Sequence, residues 1–209
     1  MVSVIAVGLA VCAGRTITTP APPAAAAIPT PQDPRTISLQ KADLPSSLVQ
    51  CPASGEISSY LHLLQAGGSP SYEVTANQWS SLRGRGAQAG WVSSFTTDPF
   101  DCDARLGERK SPSATSFTFR FSGPNQATDA FKAGFLGLNP APDLSAPGLV
   151  QGDATKLGPQ SWVYDQNQQT PNVWVAYWAR QDLVLFLFTE HLTPMAARLA
   201  ATGMDGRVH

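Results

Sequence analysis

The chain has 209 residues, a formal net charge of −1 and only 14% charged residues, well below the roughly 25% that is usual in globular domains. Its 14 lysines and arginines form no basic block, which argues against nucleic-acid binding and against electrostatic docking on anionic lipid. The length suits one domain with a hydrophobic core, together with additional tails.

An apolar run opens the chain, from Val2 to Ala13. It is shorter than the roughly 20 residues that a bilayer span needs, and it resembles the hydrophobic region of a signal peptide without the usual basic residues before it. Two kinds of processing remain open: cleavage after Ala13, or lipid attachment to Cys12 in the lipobox-like stretch LAVC, where Val11 replaces the usual Gly, Ala or Ser. Residues 1–13 are therefore predicted to be a signal peptide or a lipoprotein signal, with cytoplasmic residence as the alternative.

Residues 14–36 are rich in Pro, Ala and Thr and have no amphipathic period. Such a segment cannot bury enough apolar surface to offset the entropy lost on ordering. It is predicted to be a disordered tether, and residues 37–209 are predicted to form a single domain.

Two cysteines remain outside the predicted signal, Cys51 and Cys102. In an exported protein such a pair predicts a disulfide. The alternatives are a metal ligand or a catalytic thiol, but the chain has no CxxC motif and no histidine close to either cysteine.

Two helices are predicted early in the domain. Ser54 is placed to cap the first helix, and the spacing of its apolar residues gives one buried face: Ile57, Tyr60, Leu61, Leu63 and Leu64. After a break at AGGSPS, a second helix begins near Thr75 and turns Trp79 and Leu82 inward.

Two strands follow, at AQAGWVSSFTTD and at SFTFRFSG. In the second strand three phenylalanines alternate with Thr118 and Arg120, which predicts one buried face and one face in water. A helix then begins near Pro124, with apolar residues at helical spacing: Ala127, Ala130, Phe131 and Phe135.

The second half begins with a predicted loop at residues 139–148, followed by a pair of short strands at GLVQGDATKLG and QSWVYDQN. The last element is a helix capped by Thr193, with Pro194 at its first position. Its inward face is expected to carry Met195, Ala196, Leu199 and Met204.

The most apolar stretch, residues 173–189, is divided by Arg180-Gln181-Asp182, which excludes a membrane span and predicts two strands with a tight turn. Both faces of both strands are apolar, as in the central strands of a sheet. The second face has three open interpretations: packed core, an interface with another protein, or a pocket for a small apolar ligand. The residues expected to line that pocket are Trp162, Trp174, Trp178 and Phe188.

The order of elements does not alternate strand and helix, which predicts an α+β fold with an antiparallel sheet and helices packed mainly on one face. The stretches ADLP, GWVSSF, SFTFRFSGPNQATDAF, GDATKLG and AARLAATGMDGRV also form a layout similar to exported α+β domains of actinobacterial cell-envelope proteins. Those include small secreted lipoproteins and the extracellular sensor domain of certain mycobacterial membrane Ser/Thr kinases. The resemblance spans about residues 38–208 and implies an extracytoplasmic binding or sensing module. The kinase sensor domain carries two disulfides, whereas this chain can form one outside its signal.

No catalytic or nucleotide-binding motif such as GxSxG, HExxH, Walker A or GxGxxG occurs, and no cofactor is predicted. A calcium loop at Asp98, Asp101, Asp103 and Glu108 is disfavoured, because Pro99 and the predicted disulfide intervene. The Glu190–His191 pair is expected to be a solvated strand end rather than an acid–base pair.

The sequence thus predicts a non-catalytic, sensor-like domain outside the cytoplasm, secreted or anchored to the membrane only through its N-terminus. Its partner would be a small apolar ligand or an envelope protein. The alternatives are a structural protein of the cell envelope and a hydrolase with a dispersed site.

Overall fold

A computed structural model describes residues 31–136, 147–166 and 172–209. Residues 31–209 form one compact unit, which begins earlier than the predicted boundary at residue 37. The reason is a short helix, α1 (Pro34–Ile37), whose Pro34 and Ile37 side chains are buried. The predicted signal with Cys12, the tether up to residue 30 and most of the 139–148 loop lie outside the described residues.

An eight-stranded antiparallel sheet forms the centre of the fold. Its strands run in the order β1-β3-β4-β8-β7-β6-β5, and β2 pairs with β3 beside β1. The strands are β1 (Val49–Gln50), β2 (Gly55–Glu56), β3 (Ala87–Thr96), β4 (Ser113–Phe121), β5 (Leu149–Gln151), β6 (Ser161–Asp165), β7 (Val173–Arg180) and β8 (Leu183–Glu190).

Helices cover both faces of this sheet. The described helices after α1 are α2 (Ile57–Ala66), α3 (Tyr72–Gly84), α4 (Pro124–Ala133) and α5 (Pro194–Asp205). We call the face that packs against α2, α3 and α4 the three-helix face, and the opposite one the α5 face. The predicted α+β class, with an antiparallel sheet and most of the helices on one face, is confirmed.

The apolar hairpin of β7 and β8 lies in the middle of the sheet, as predicted. Gln181 makes the tight turn with a positive φ of 54°. Successive residues point to opposite faces, so that Val175 and Tyr177 join the three-helix core while Trp174 and Trp178 join the α5 core. Both faces are buried under helices, which explains why neither face needs polar residues.

The α5 face is also covered by the segment that precedes β1. Ser38 Oγ donates a hydrogen bond to Thr118 Oγ1 over 2.9 Å, and the Leu39 N–H donates to Ser116 Oγ over 3.2 Å. Thr118 is 0% exposed. The prediction that this side of β4 faces water is therefore wrong, because hydroxyl-bearing residues here bind a covering segment rather than solvent.

Two local predictions also need correction. Ser54 does not cap α2, because its Oγ pairs with the backbone of Ser94 in β3. The inward face of α5 consists mainly of alanines, whereas Met195 and Leu199 are 68% and 60% exposed. Its buried residues are Ala197, Ala200, Ala201 and Met204. Small side chains let the helix approach a sheet face that already carries two tryptophans.

The predicted cap of α5 is correct, since Thr193 Oγ1 accepts the Ala196 N–H over 3.2 Å. The predicted disulfide is also present: Cys51 and Cys102 are bonded, with their Cα atoms 5.5 Å apart. It joins the end of β1 to the 3-10 turn Pro99–Asp103. Within the described ranges, no helix has both the length and the hydrophobicity that crossing a membrane requires.

Candidate ligand-binding cleft

The three-helix face changes from aromatic to polar along the strands. One cross-strand row consists of Val92, Phe117, Phe186, Tyr177 and Trp162. The next row consists of Ser94, Thr115, Phe188 and Val175. The row after that contains Thr96, Ser113, Glu190 and Val173. This end of the sheet therefore presents hydroxyl and carboxyl groups beside an aromatic surface.

A cleft of about 640 Å³ lies over this boundary. Its walls are α2, the loop from α2 to α3, the start of α3 and the segment around residues 102–109. Its apolar lining residues include Tyr60, Leu64, Phe117, Leu136, Phe186 and Phe188. The volume falls within the roughly 300–1,000 Å³ typical of sites for small molecules.

Aromatic rings form the floor of the cleft. Tyr60 meets Phe117 edge to face with ring centroids 6.0 Å apart, and Phe117 lies 6.0 Å from Phe186. Phe186 stacks on Phe188 at 6.4 Å. Phe117 and Phe186 are fully buried, whereas Phe188 and Tyr60 are half-buried. The floor is thus an apolar surface, and Phe188 and Tyr60 are the rings in it that remain accessible from the cleft.

A buried arginine lies at the polar end of the cleft. Arg109 is 5% exposed, and its Nη1 and Nη2 donate to Thr115 Oγ1 (2.9 Å) and Ser94 Oγ (3.0 Å). Its Nε has no hydrogen-bond partner in residues 31–136, 147–166 and 172–209. None of the ion pairs in the described part of the chain includes its guanidinium. Arg109 is therefore a buried cation held by two neutral hydroxyls.

Glu190 fixes the loop that carries Arg109. Its carboxylate accepts the backbone N–H of Arg109 (3.1 Å) and that of Gly107, and it pairs with the Ser113 hydroxyl (3.4 Å). His191, with a positive φ of 57°, places its Nε2 3.0 Å from the Arg109 carbonyl oxygen. Glu190 is 0% exposed, so the expectation of a solvated strand end is wrong for this residue. Both side chains bind the backbone of the 107–109 loop.

Burial shifts the ionisation of the groups around the cleft. It raises the pKa of the Glu190 carboxyl, an effect that the two backbone N–H groups and the charge of Arg109 oppose. Burial also lowers the pKa of the Arg109 guanidinium, with the attraction to Glu190 acting in the opposite direction. Arginine nonetheless remains charged in proteins. Burial raises the pKa of Tyr60, which therefore presents a neutral phenol.

The structure does not bring the four predicted pocket residues together. Trp174 and Trp178 lie on the α5 face and are 2% and 0% exposed. Trp162 and Phe188 lie on the three-helix face, but Trp162 borders a separate depression of about 280 Å³. Phe188 alone among them lines the larger cleft. Phe188 pairs with Val175, and Trp162 pairs with Tyr177. Because Val175 and Tyr177 point away from the face that carries Trp174 and Trp178, the four residues cannot share one wall.

Two of the acidic residues considered for calcium bind backbone N–H groups. Asp98 Oδ1 accepts the Phe100 N–H, and Asp101 Oδ2 accepts the N–H groups of Lys110 and Ser111. In the part of the chain that the structure describes, no group of three or more His, Cys, Asp and Glu side chains could hold a metal ion. These carboxylates cap turns.

Sequence reasoning missed Arg109 and placed Glu190 in solvent. One signal was present for Glu190: it lies two and four residues after Phe188 and Phe186 in the same strand and so shares their face. No comparable signal marked Arg109, which stands in the charged run Glu108-Arg109-Lys110. Such a run usually lies in solvent.

No protein-family model matches the chain, and no curated protein matches it.

Proposed function

We propose that the folded unit is a non-catalytic, sensor-like binding domain that acts outside the cytoplasm and takes up a small apolar molecule in the cleft. The observation that carries this proposal is a cleft of about 640 Å³ whose floor is formed by aromatic side chains. Apolar surface that the fold itself leaves accessible favours occupation by an apolar partner.

The rim of the cleft supports the same proposal. Leu63 and Val74 are among its lining residues and are 49% and 56% exposed. They continue the apolar lining from Leu64 towards solvent. A ligand that enters between α2 and α3 would thus meet apolar side chains at the rim as well as at the floor.

A binding role is favoured over catalysis by the arrangement of the titratable side chains. His191 Nε2 is within hydrogen-bond distance of the Arg109 carbonyl oxygen, and Glu190 binds backbone N–H groups and a serine hydroxyl. General acid–base catalysis needs a group that can reach the substrate's proton. These two groups are instead engaged in holding a loop.

The proposal can be tested with Nile red, a neutral apolar dye that fluoresces in apolar surroundings. Leu64→Trp adds bulk to the cleft wall, and Leu199→Trp makes the same change on α5 at a position that is 60% exposed. Leu64→Trp should weaken dye binding about tenfold or more, which corresponds to 1.4 kcal/mol or more. The Leu199 variant should bind as the unchanged protein does. Equal binding by all three proteins, or no binding by any, contradicts the proposal.

Residence outside the cytoplasm is supported by the disulfide and by the resemblance to exported envelope domains. The domain would be anchored through lipid on Cys12. In an actinobacterial host fed an alkyne-labelled fatty acid, the full chain should become labelled and Cys12→Ser should abolish the label. Val11→Ala, which restores a lipobox-like residue, should retain or increase labelling. An unlabelled chain that is released to the medium contradicts the anchor and favours cleavage at Ala13.

A further inference from the structure

Building on the proposed function, we infer that the ligand is an apolar chain bearing one carboxylate, and that Arg109 binds that carboxylate at the polar end of the cleft. The apolar chain lies along the aromatic floor between Phe117 and Phe188. This assigns a chemical class to the ligand and a role to the arginine.

The first argument is that the buried guanidinium of Arg109 forms no ion pair among the described residues. A cation that is 95% buried is costly unless an anion pairs with it. Its hydrogen bonds to Ser94 and Thr115 use one N–H each of Nη1 and Nη2, although a guanidinium has five N–H donors. Among the residues that the structure describes, Nε has no hydrogen-bond partner, and the side chain lines the cleft. A ligand anion entering from the cleft would supply the missing acceptor.

The second argument is that Glu190 attracts Arg109 without forming an ion pair with it among the described residues. The two oxygens of Glu190 accept N–H and O–H groups from the loop and from Ser113. Burial raises the pKa of its carboxyl, and the two backbone N–H groups and the charge of Arg109 oppose that shift. Glu190 is thus a positioning residue, which holds the loop so that Arg109 extends over the hydroxyls of β3 and β4.

The third argument concerns the number of charges. One guanidinium balances one negative charge, and its planar fork matches a carboxylate. A phosphate monoester carries up to two charges at neutral pH and would leave one buried without a partner. The other charged lining residues, Asp103 and Arg105, are exposed at the rim, and Arg105 lies 3.7 Å from Glu108. Solvent and salt screen their effect on the buried head group.

The experiment is isothermal titration calorimetry of the full chain, with its disulfide formed, against three ligands of one chain length: decanoate, decan-1-ol and decyl phosphate. Decanoate should bind about tenfold or more tightly than decan-1-ol, as expected for a hydrogen bond to a charged group. Decyl phosphate should bind more weakly than decanoate. In Arg109→Gln the ratio of the decanoate and decan-1-ol affinities should fall to about one, whereas Arg198→Gln on the exposed face of α5 should retain it.

The outcomes separate the two proposals. Equal affinities for decanoate and decan-1-ol in the unchanged protein overturn the role of Arg109 while the apolar cleft stands. Binding of neither ligand overturns the proposed function as well. Decyl phosphate binding at least as tightly as decanoate overturns the choice of a carboxylate. These comparisons need no variant, so they hold even if Arg109→Gln does not fold. In that case Thr115→Val serves as the variant instead of Arg109→Gln. It removes one hydroxyl that holds the guanidinium and should lower the preference for decanoate over decan-1-ol several-fold.

Discussion

Replacing Trp178 with alanine is expected to destabilise the protein by about 3–5 kcal/mol, the usual cost of deleting a buried tryptophan. Trp178 is 0% exposed and packs in the α5 core with Trp174 and Met204. Its Nε1 also donates to Asp205 Oδ1 over 3.2 Å at the end of α5. The truncation leaves a cavity beneath the helix and removes that hydrogen bond. Urea denaturation with linear extrapolation measures the loss.

Trp91 provides the matched control, because it is only half-buried and its ring lies 5.5 Å from the Arg35 guanidinium. Trp91→Ala should cost less than half as much as Trp178→Ala. Nile red binding under native conditions should persist in Trp178→Ala, since the cleft lies on the other face of the sheet. If the variant kept its stability and lost the dye, Trp178 would line a ligand site and the packed α5 core would be the wrong interpretation.

The hairpin of β7 and β8 shows how much the sequence could establish. Alternation along a strand assigns each side chain to one face, and every buried residue of the two strands lies on the face expected from this rule. The disulfide followed from counting cysteines. The tight turn predicted at Arg180-Gln181-Asp182 pairs Arg180 with Leu183, and this register places Phe188 on the face opposite to Trp174 and Trp178. The four-residue pocket therefore conflicted with the register that the predicted turn implies.

The rest depended on contacts between distant parts of the chain. Met195 and Leu199 are more hydrophobic than Ala197 and Ala200, yet the alanines are buried, because two tryptophans of β7 occupy the space beneath α5. Intrinsic hydrophobicity cannot reveal such size complementarity. The position of Arg109 likewise depends on Glu190, which is 81 residues away and holds its backbone.

Removing the Cys51–Cys102 disulfide, as Cys51→Ala with Cys102→Ala, is expected to lower the free energy of unfolding by about 4 kcal/mol. This value follows from the chain-entropy model for a loop closed by cysteines that are 51 positions apart. The variant should also bind Nile red more weakly, because Ala53 and Cys102 line the cleft and the bond ties the two segments together. Urea denaturation and dye titration measure the two effects.

The unchanged protein in reductant is the matched control for this double variant. Both proteins lack the bond, so their unfolding midpoints should agree, and added reductant should leave the variant's midpoint where it was. A loss of stability below about 1 kcal/mol would mean that the unfolded chain already keeps the two segments close. Loss of stability without loss of dye affinity would mean that α2 and the sheet hold the cleft open without the 102–109 segment. Weaker dye binding together with lower stability is the result expected if the disulfide fixes one wall of the binding site.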